Sequence, residues 1–474
     1  MTDLLTLSAS EALALFRRRA LSPVELTAAL IARAEAAEPL INAFTYRYFD
    51  QALDASRLAE ARYGHGNARP LEGLCIAIKD AGHIAGQPTS SGSLLGDEGP
   101  QPKTSPINQR VLGAGGIVHA RSATPEYSCA AVTWSRRWGV TRNPWNLAMT
   151  PGGSSGGAGA ALAAGTATLA TGSDIGGSIR IPASCCGVIG YKPPRGRNPV
   201  DAPFNLDFYC HTGPMARTVA DTILFQNQLC GPHPDDATTL PRHQIPAPGE
   251  LGDLHDLRGL RIALSRDLGL FQVAPDVTAA LDRASRTFRD LGAVVEEIAL
   301  PWGDDVMSAA LTHLQMIFGT SIAPQDPADW DRLTPYAKDF ATKGLQVNPR
   351  DYLAALTRAG DMAQELAHAM AGFDLLICPT TAVPAVAADF DPGTQSLMIN
   401  DRPVDPMLGW VMTVPFNMLS TRPALSMPCG QAANGVPIGL QIVGRPYDET
   451  PVFRAALAFE ATLPEWSARA PQIC

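Results

Sequence analysis

Thr150-Pro-Gly-Gly-Ser-Ser-Gly-Gly157 and Thr171-Gly-Ser-Asp-Ile-Gly-Gly-Ser-Ile-Arg180 are the two stretches on which the reading of this 474-residue chain turns. Without a Cβ in the way, consecutive backbone N–H groups in such glycine-rich loops converge on a single oxygen, as an anion nest or oxyanion hole requires. The serines add hydroxyl groups, which attack a carbonyl only when a neighbouring base takes their proton. One Gly/Ser-rich loop is usually just a turn. Two of them, with Ser154 and Ser178 placed 24 positions apart, form a much rarer pattern.

Two familiar uses of such loops fit poorly. A phosphate-cradling loop needs Gly-x-x-x-x-Gly-Lys-Ser/Thr, and no lysine follows either cluster. Gly152 to Gly156 formally matches the Gly-x-Ser-x-Gly elbow of α/β-hydrolases, with Ser154 as nucleophile. That elbow requires an apolar strand directly before it. Here Asn146-Leu-Ala-Met-Thr-Pro151 precedes it, and Pro151 cannot donate to a central sheet.

Working outward, Leu71 to Lys79 is a short apolar run ended by a charge, which reads as a buried strand delivering Lys79 into a cleft. Ser8-Ala-Ser-Glu11 and Ser22-Pro-Val-Glu25 are capping signatures that predict two amphipathic helices. Asn108 to Gly165 alternates helix, the short strand Gly116–Ala120, loops and a Gly/Ala-rich helix. Beyond a Pro/Asp/His-rich surface connection at about 231–257, the pattern is strand (Leu260–Leu264), helix (Pro275–Leu291) and strand (Ala293–Leu300). Residues 301–370 read as mostly helical, and Asp374–Cys378, Ala424–Cys429 and Pro437–Val443 as strands. The expected fold class is α/β.

The composition supports a folded chain: hydrophobic residues make up 46% and charged residues 18%. The net charge of −9 opposes attraction to phosphate, so neither nucleic acid nor an anionic membrane is an expected partner. Nine cysteines, mostly in apolar runs, show no Cys-x-x-Cys pair and no Cys/His cluster. No metal site or disulfide framework is predicted. The start of the chain lacks a basic segment followed by an apolar stretch, which points to a cytoplasmic location. Cys185-Cys186 has no adjacent basic residue to favour a thiolate, and His83 and His211 read as structural.

In these motifs the chain resembles the amidase signature enzymes, which hydrolyse amides through a Ser–Ser–Lys triad. The resemblance rests on Gly152–Gly157, Gly172–Ala183, Cys186-Gly-Val-Ile-Gly-Tyr-Lys-Pro193 and Ile76-Ala-Ile-Lys-Asp80. It extends through Thr141–Asn146, Gly213–Asp221, Pro415-Phe-Asn417 and Gly439–Gly444, nearly the whole chain. Cys185, Tyr191 and Pro194 depart from the commonest family pattern, at positions outside the triad.

The resemblance implies one amidase domain over residues 1–474, with a signature core at about 65–225 and a helical variable insert at about 301–370 that lines the substrate pocket. The fold it implies is a large mixed twisted sheet covered by helices on both faces. By the same resemblance Ser178 is the nucleophile, Ser154 the bridging serine after a cis peptide bond at Gly153, and Lys79 the general base. Burial disfavours an ammonium and lowers its pKa, which suits a lysine to that task. The N–H groups of Ile175, Gly176, Gly177 and Ser178 are the expected oxyanion hole, with Asp174 and Arg180 bracing the loop. Tyr127, Ser128 and Cys129 are expected in the substrate pocket, and the Trp134–Trp138 segment and residues 301–350 in its apolar walls. The implied reaction is hydrolysis of non-peptide C–N bonds in amides or carbamates (urethanes), of the aryl-acylamidase or urethanase kind, through an acyl-enzyme. No cofactor is needed, the substrate is a small molecule, and the protein acts as a monomer or homodimer. Two alternatives stand beside this reading: the A subunit of a tRNA-dependent amidotransferase, and a catalytically silent binding protein on the same scaffold.

Overall fold

In the computed structural model, which describes residues 4–463 together with Trp466 and Pro471, both capping signatures start helices. The Ser8 hydroxyl accepts the Glu11 N–H at 3.1 Å while the Glu11 carboxylate accepts the Ser8 N–H at 2.9 Å, opening Ala9–Arg17. Ser22 and Glu25 repeat the arrangement ahead of Pro23–Ile41.

The strands are, in chain order, β1 (Phe44–Arg47), β2 (Cys75–Lys79), β3 (Ile117–Ser122), β4 (Trp134–Ser135), β5 (Gly139–Val140), β6 (Leu169–Asp174), β7 (Ile189–Lys192), β8 (His211–Ala216), β9 (Arg261–Leu264), β10 (Val294–Glu297), β11 (Leu375–Pro379), β12 (Leu397–Ile399), β13 (Arg402–Val404), β14 (Ala424–Gln431) and β15 (Pro437–Gly444). Eleven of them form one mixed sheet in the order β1-β3-β2-β6-β8-β7-β14-β15-β11-β9-β10; β4–β5 and β12–β13 are separate ribbons. β2 runs parallel to β3 and β6, and β9 runs parallel to β10 and β11. The pairs around β8, β7, β14 and β15 are antiparallel.

Alternation along the strands covers both faces with helices. On β11, Leu375 and Ile377 join the apolar layer of Pro275–Asp290 and Thr450–Ala461, where Phe288 stacks on Phe459. Leu376 and Cys378 point the other way, into the layer that holds Ile181 and Cys185. Burial of these strands on both sides explains their continuous apolar sequences.

The predicted β9–helix–β10 unit is present, with helix Pro275–Asp290 between its parallel strands. The expected strand over 71–79 is shorter: Leu71 to Leu74 form a turn in which Gly73 takes φ +83°. Residues 231–257 are a connection containing one 3₁₀ turn at Pro248–Glu250, pegged down by buried Ile245, Leu251 and Leu257. The 301–370 region contributes helices Asp304–Leu314, Pro335–Gly344 and Pro349–Ala369. Among the described residues no helix is long and apolar enough to cross a membrane.

Candidate active site

Ile76 and Ala77 of β2 pair in parallel with Leu169 and Ala170 of β6, so both strands reach the same rim of the sheet with their C-terminal ends. Crevices beyond the carboxyl ends of parallel strands are where open α/β sheets hold ligands. β2 ends in Lys79. β6 ends in Asp174 and runs directly into the loop Ile175–Ile179, ahead of helix Arg180–Cys186.

Ser154 reaches this rim from the other glycine-rich loop, just before helix Gly156–Ala163. The Gly153–Ser154 peptide bond is cis, in agreement with the resemblance. Gly153 is needed because a Cβ there would lie 2.4 Å from the Val132 carbonyl oxygen. The two loops are tied together by the Ser155 N–H, which donates to the Ser178 carbonyl at 3.1 Å.

Lys79 is buried at 3% exposure, and its Nζ hydrogen-bonds Ser154 Oγ at 2.6 Å and Ser173 Oγ at 2.8 Å. Loss of water pushes its pKa down from 10.5 to about 7, and the Asp174 charge opposes the shift only in part. The Ser178 hydroxyl has no hydrogen-bond partner among the described residues, and Ser178 lines a small apolar pocket. The N–H groups of Ile175, Gly176, Gly177 and Ser178 likewise find no acceptor there. Gly177 takes φ +125°, and a Cβ on it would fall 1.8 Å from Thr413 Oγ1. That side chain donates to the Gly176 carbonyl at 2.6 Å, fixing the loop from behind.

Under the loop lies a fully buried ion pair. Arg180 Nε and Nη2 donate to the two Asp174 carboxylate oxygens at 3.0 and 2.8 Å. Burial alone would raise the Asp174 pKa; the Arg180 charge and the bonds from Arg180 and Asn417 outweigh it and hold the carboxyl below its usual range. The remaining Arg180 donors reach the Thr413 carbonyl at 3.0 Å, Asn417 Oδ1 at 2.7 Å and Gln441 Oε1. Asn417 Nδ2 returns to the Asp174 carboxylate at 2.8 Å and to the Asp174 carbonyl at 3.0 Å. The sequence motifs include Asn417 and Gln441 but point to no role for either. Sequence reasoning misses the role of Lys192 altogether; its buried Nζ donates to the Arg422 carbonyl at 2.9 Å.

A cavity of about 340 Å³ opens beside Lys79, Ser154, Ser173 and Asp174. The pocket of about 50 Å³ that touches Ser178 adjoins it, sharing Ser128, Ile175 and Phe318. Tyr127 and Ser128 line the larger space, Ser128 and Cys129 the smaller. Tyr127 and Ser128 both take left-handed backbone angles (φ 51° and 60°), which turn the chain sharply at this wall. From the 301–350 region, Phe318 and Ile322 line the larger space, and Leu314 and Phe340 the smaller.

The expectation for Trp134–Trp138 is corrected: neither tryptophan lines these spaces. Trp134 donates to the Phe390 carbonyl at 2.9 Å and packs edge-on against buried Tyr336, while Trp138 donates to Ser90 Oγ at 2.8 Å. Their N–H groups are drawn to acceptors within the protein, away from the cavity. His211 is buried, and its ring nitrogens lie against the carbonyls of Tyr209 (2.8 Å) and Ser420 (3.2 Å). Desolvation and the Lys192 charge lower its pKa to about 3, so it is neutral. Seven of the eight described cysteines are buried and the eighth, Cys210, is partly so; Cys474 lies outside the described residues.

The amidase family model matches residues 25–453. The chain belongs to the amidase family. An acylamidase from Rhodococcus erythropolis is 34% identical over 473 residues, covering 98% of this chain and 97% of its own. The A subunit of a glutamyl-tRNA(Gln) amidotransferase from Chloroflexus aggregans is 33% identical over 502 residues, covering 100% and 99%. Among solved structures, a bacterial aryl acylamidase of the amidase signature family superposes with TM-score 0.88 at 28% identity, covering 98% of this chain and 97% of that one. The mixed eleven-stranded sheet with its helices is therefore the amidase signature fold.

Proposed function

We propose that this chain is a free-standing amidase that hydrolyses the C–N bond of small amides or carbamates, with Ser178 as nucleophile, Ser154 as relay and Lys79 as base. The observation that carries this reading is the buried Lys79 amine, 2.6 Å from Ser154 Oγ and close to half deprotonated at neutral pH. A neutral amine accepts the Ser154 proton as Ser154 takes one from Ser178. Ser178 Oγ then bonds to the carbonyl carbon. The resulting oxyanion is received by the N–H groups of residues 175–178, each such donor being worth roughly 3 kcal/mol. Collapse of the tetrahedral species breaks the C–N bond, and Ser154 returns the proton to the leaving nitrogen. Water, deprotonated through the same pair, attacks the acyl-enzyme and releases the acid. For a carbamate the same steps leave an alkoxycarbonyl-enzyme, whose hydrolysis frees alcohol and carbon dioxide.

The test is release of arylamine from N-acyl anilines and N-aryl carbamates by purified protein. Ser178→Ala should lose at least about a thousandfold in rate, with an unchanged melting temperature and no acyl adduct by intact mass. Full activity in that variant would remove Ser178 as nucleophile.

The similarity to the A subunits of amidotransferases favours a second reading, in which the site releases ammonia inside a larger assembly. The net charge of −9 supports the free-standing enzyme. Retention of partner subunits or tRNA during purification would support the assembly instead.

A further inference from the structure

The mechanism leaves unused a polar cluster in the wall of the larger cavity. Asn108 is buried at 1% exposure and lines that space. Its amide orientation is set by Nδ2, which donates to the His83 carbonyl at 3.0 Å. Its Oδ1, also buried, has no hydrogen-bond partner. Leaving a buried acceptor unpaired costs roughly 1–3 kcal/mol, so the unpaired acceptor of this wall residue would gain from a donor on a ligand.

Asp201 lines the same cavity. Burial raises its pKa, while a bond from the Ser105 hydroxyl and the charge of nearby His83 pull it back. Ser105 also accepts the His83 N–H at 2.7 Å, so His83, Ser105, Asn108 and Asp201 form one connected group. The charged groups that act on Asp201 are His83 and Asp235; no lysine or arginine is among them. Lys79, the lysine that lines this cavity, is engaged by Ser154 and Ser173. The loop that carries Asp201 is held in place: Val200 N–H donates to Asp236 at 2.9 Å and Asn205 Nδ2 to the same carboxylate at 3.2 Å. Elsewhere the wall is largely apolar, with Ile107, Val200, Phe204 and Phe318, the last two rings 5.3 Å apart.

Two acceptors with no lysine or arginine among the groups acting on Asp201, in an apolar surround, are complementary to a cationic donor. We propose that Asp201 and Asn108 form a subsite for an ammonium group on the amine half of the substrate, so that the enzyme favours mono-acylated diamines over simple alkyl amides. The assignment to the amine half rests on the function proposed above: Ser154 returns the proton to the leaving nitrogen and lines the larger cavity, whereas Ser178 lines the smaller pocket. The ammonium would also hold Asp201 ionised, which burial alone opposes.

The test compares N-(6-aminohexyl)acetamide with its uncharged counterpart N-heptylacetamide. Wild-type kcat/KM should favour the ammonium substrate at least tenfold. In Asp201→Asn the ratio should fall to about one, and in Asn108→Leu it should fall partway. A wild-type ratio near one, or a ratio that survives Asp201→Asn, overturns the subsite. If neither amide is cleaved, the amidase reading fails for alkyl amides and the subsite is judged by binding of 1,6-diaminohexane in calorimetry. Binding to wild type that Asp201→Asn loses supports it, and equal or absent binding in both overturns it.

Discussion

Following kcat/KM across pH, in the native chain and in Lys79→Ala, interrogates the one group on which the proposed chemistry depends. A free lysine at its ordinary pKa of 10.5 holds an uncharged amine in roughly 1 molecule in 3,000 at pH 7; depressed to about 7, it does so in about half. Burial therefore raises the competent fraction by about three orders of magnitude, equivalent to about 4–5 kcal/mol. The sign follows from which form works: the base is the neutral amine, so activity is lost as pH falls. We expect kcat/KM for an N-acyl aniline to rise about tenfold per pH unit below pH ~7 and to level off above it. Lys79→Ala should lower the plateau by about a hundredfold to ten-thousandfold, the usual worth of a general base, and abolish the break. The same depression has a stability signature. The unfolded chain keeps its Lys79 proton up to about 10.5 and the folded chain releases it near 7, so the Lys79 contribution grows as pH rises between those values. A rate profile flat across that break, or an identical break in the residual rate of Lys79→Ala, would refute the assignment of Lys79 as base.

Asp174→Ala should cost about 3–5 kcal/mol in urea denaturation, because it leaves the Arg180 guanidinium buried without its counter-charge. Since the Asp174 pKa is held below its ordinary 3.8, the stability this pair supplies should fade as pH drops below about that value in the native chain, and Asp174→Ala should not show that component. Gly177→Ala meets both a left-handed φ and the Thr413 hydroxyl; a loss of at least about 1–3 kcal/mol together with a fall in kcat is expected. An alanine variant with native stability and rate would show that the loop has slack the structure does not display.

The strands that are readable in the sequence are the ones whose own side chains make the core. Leu375 to Cys378 is a continuous apolar run because both faces of its strand are covered, and Pro437 to Val443 is apolar but for Gln441, the side chain that holds Arg180. The strands nearest the site break that rule. Leu169-Ala-Thr-Gly-Ser-Asp174, Ile189-Gly-Tyr-Lys192 and His211-Thr-Gly-Pro-Met-Ala216 carry glycine, proline or polar residues at positions that ordinarily argue against a strand. Packing explains the exceptions: a Cβ on Gly172 would lie 2.7 Å from Ile179 Cγ1, and one on Gly213 would lie 2.4 Å from the Tyr191 carbonyl oxygen. The loop that carries Ser178 is pressed so close to the sheet that the strands beneath it give up the side chains by which strands are recognised. Local propensity yields here to the positioning of the site.

The same distinction separates the parts of the site that local sequence reveals from those it hides. Lys79, Ser154, Ser178, Asp174 and Arg180 sit in compact motifs whose chemistry is local enough to be read. Ser173 lies in one of these motifs without a legible role, because nothing in Thr-Gly-Ser-Asp tells that its hydroxyl meets an amine 94 positions away. Asn417 and Gln441 lie 237 and 261 positions from the Arg180 they hold, and only the sheet order, with β14 and β15 beside β7, brings their segments beneath the loop. That dependence has a mechanical consequence. Among the described residues the amides of residues 175–178 find no acceptor, while Thr413 holds the Gly176 carbonyl and Asn417 and Gln441 fix Asp174 and Arg180, which flank the loop. The proposed oxyanion site is thus specified as much by residues 413–441 as by the glycines of its own loop. Loosening the 413–441 segment should therefore lower kcat before it lowers stability.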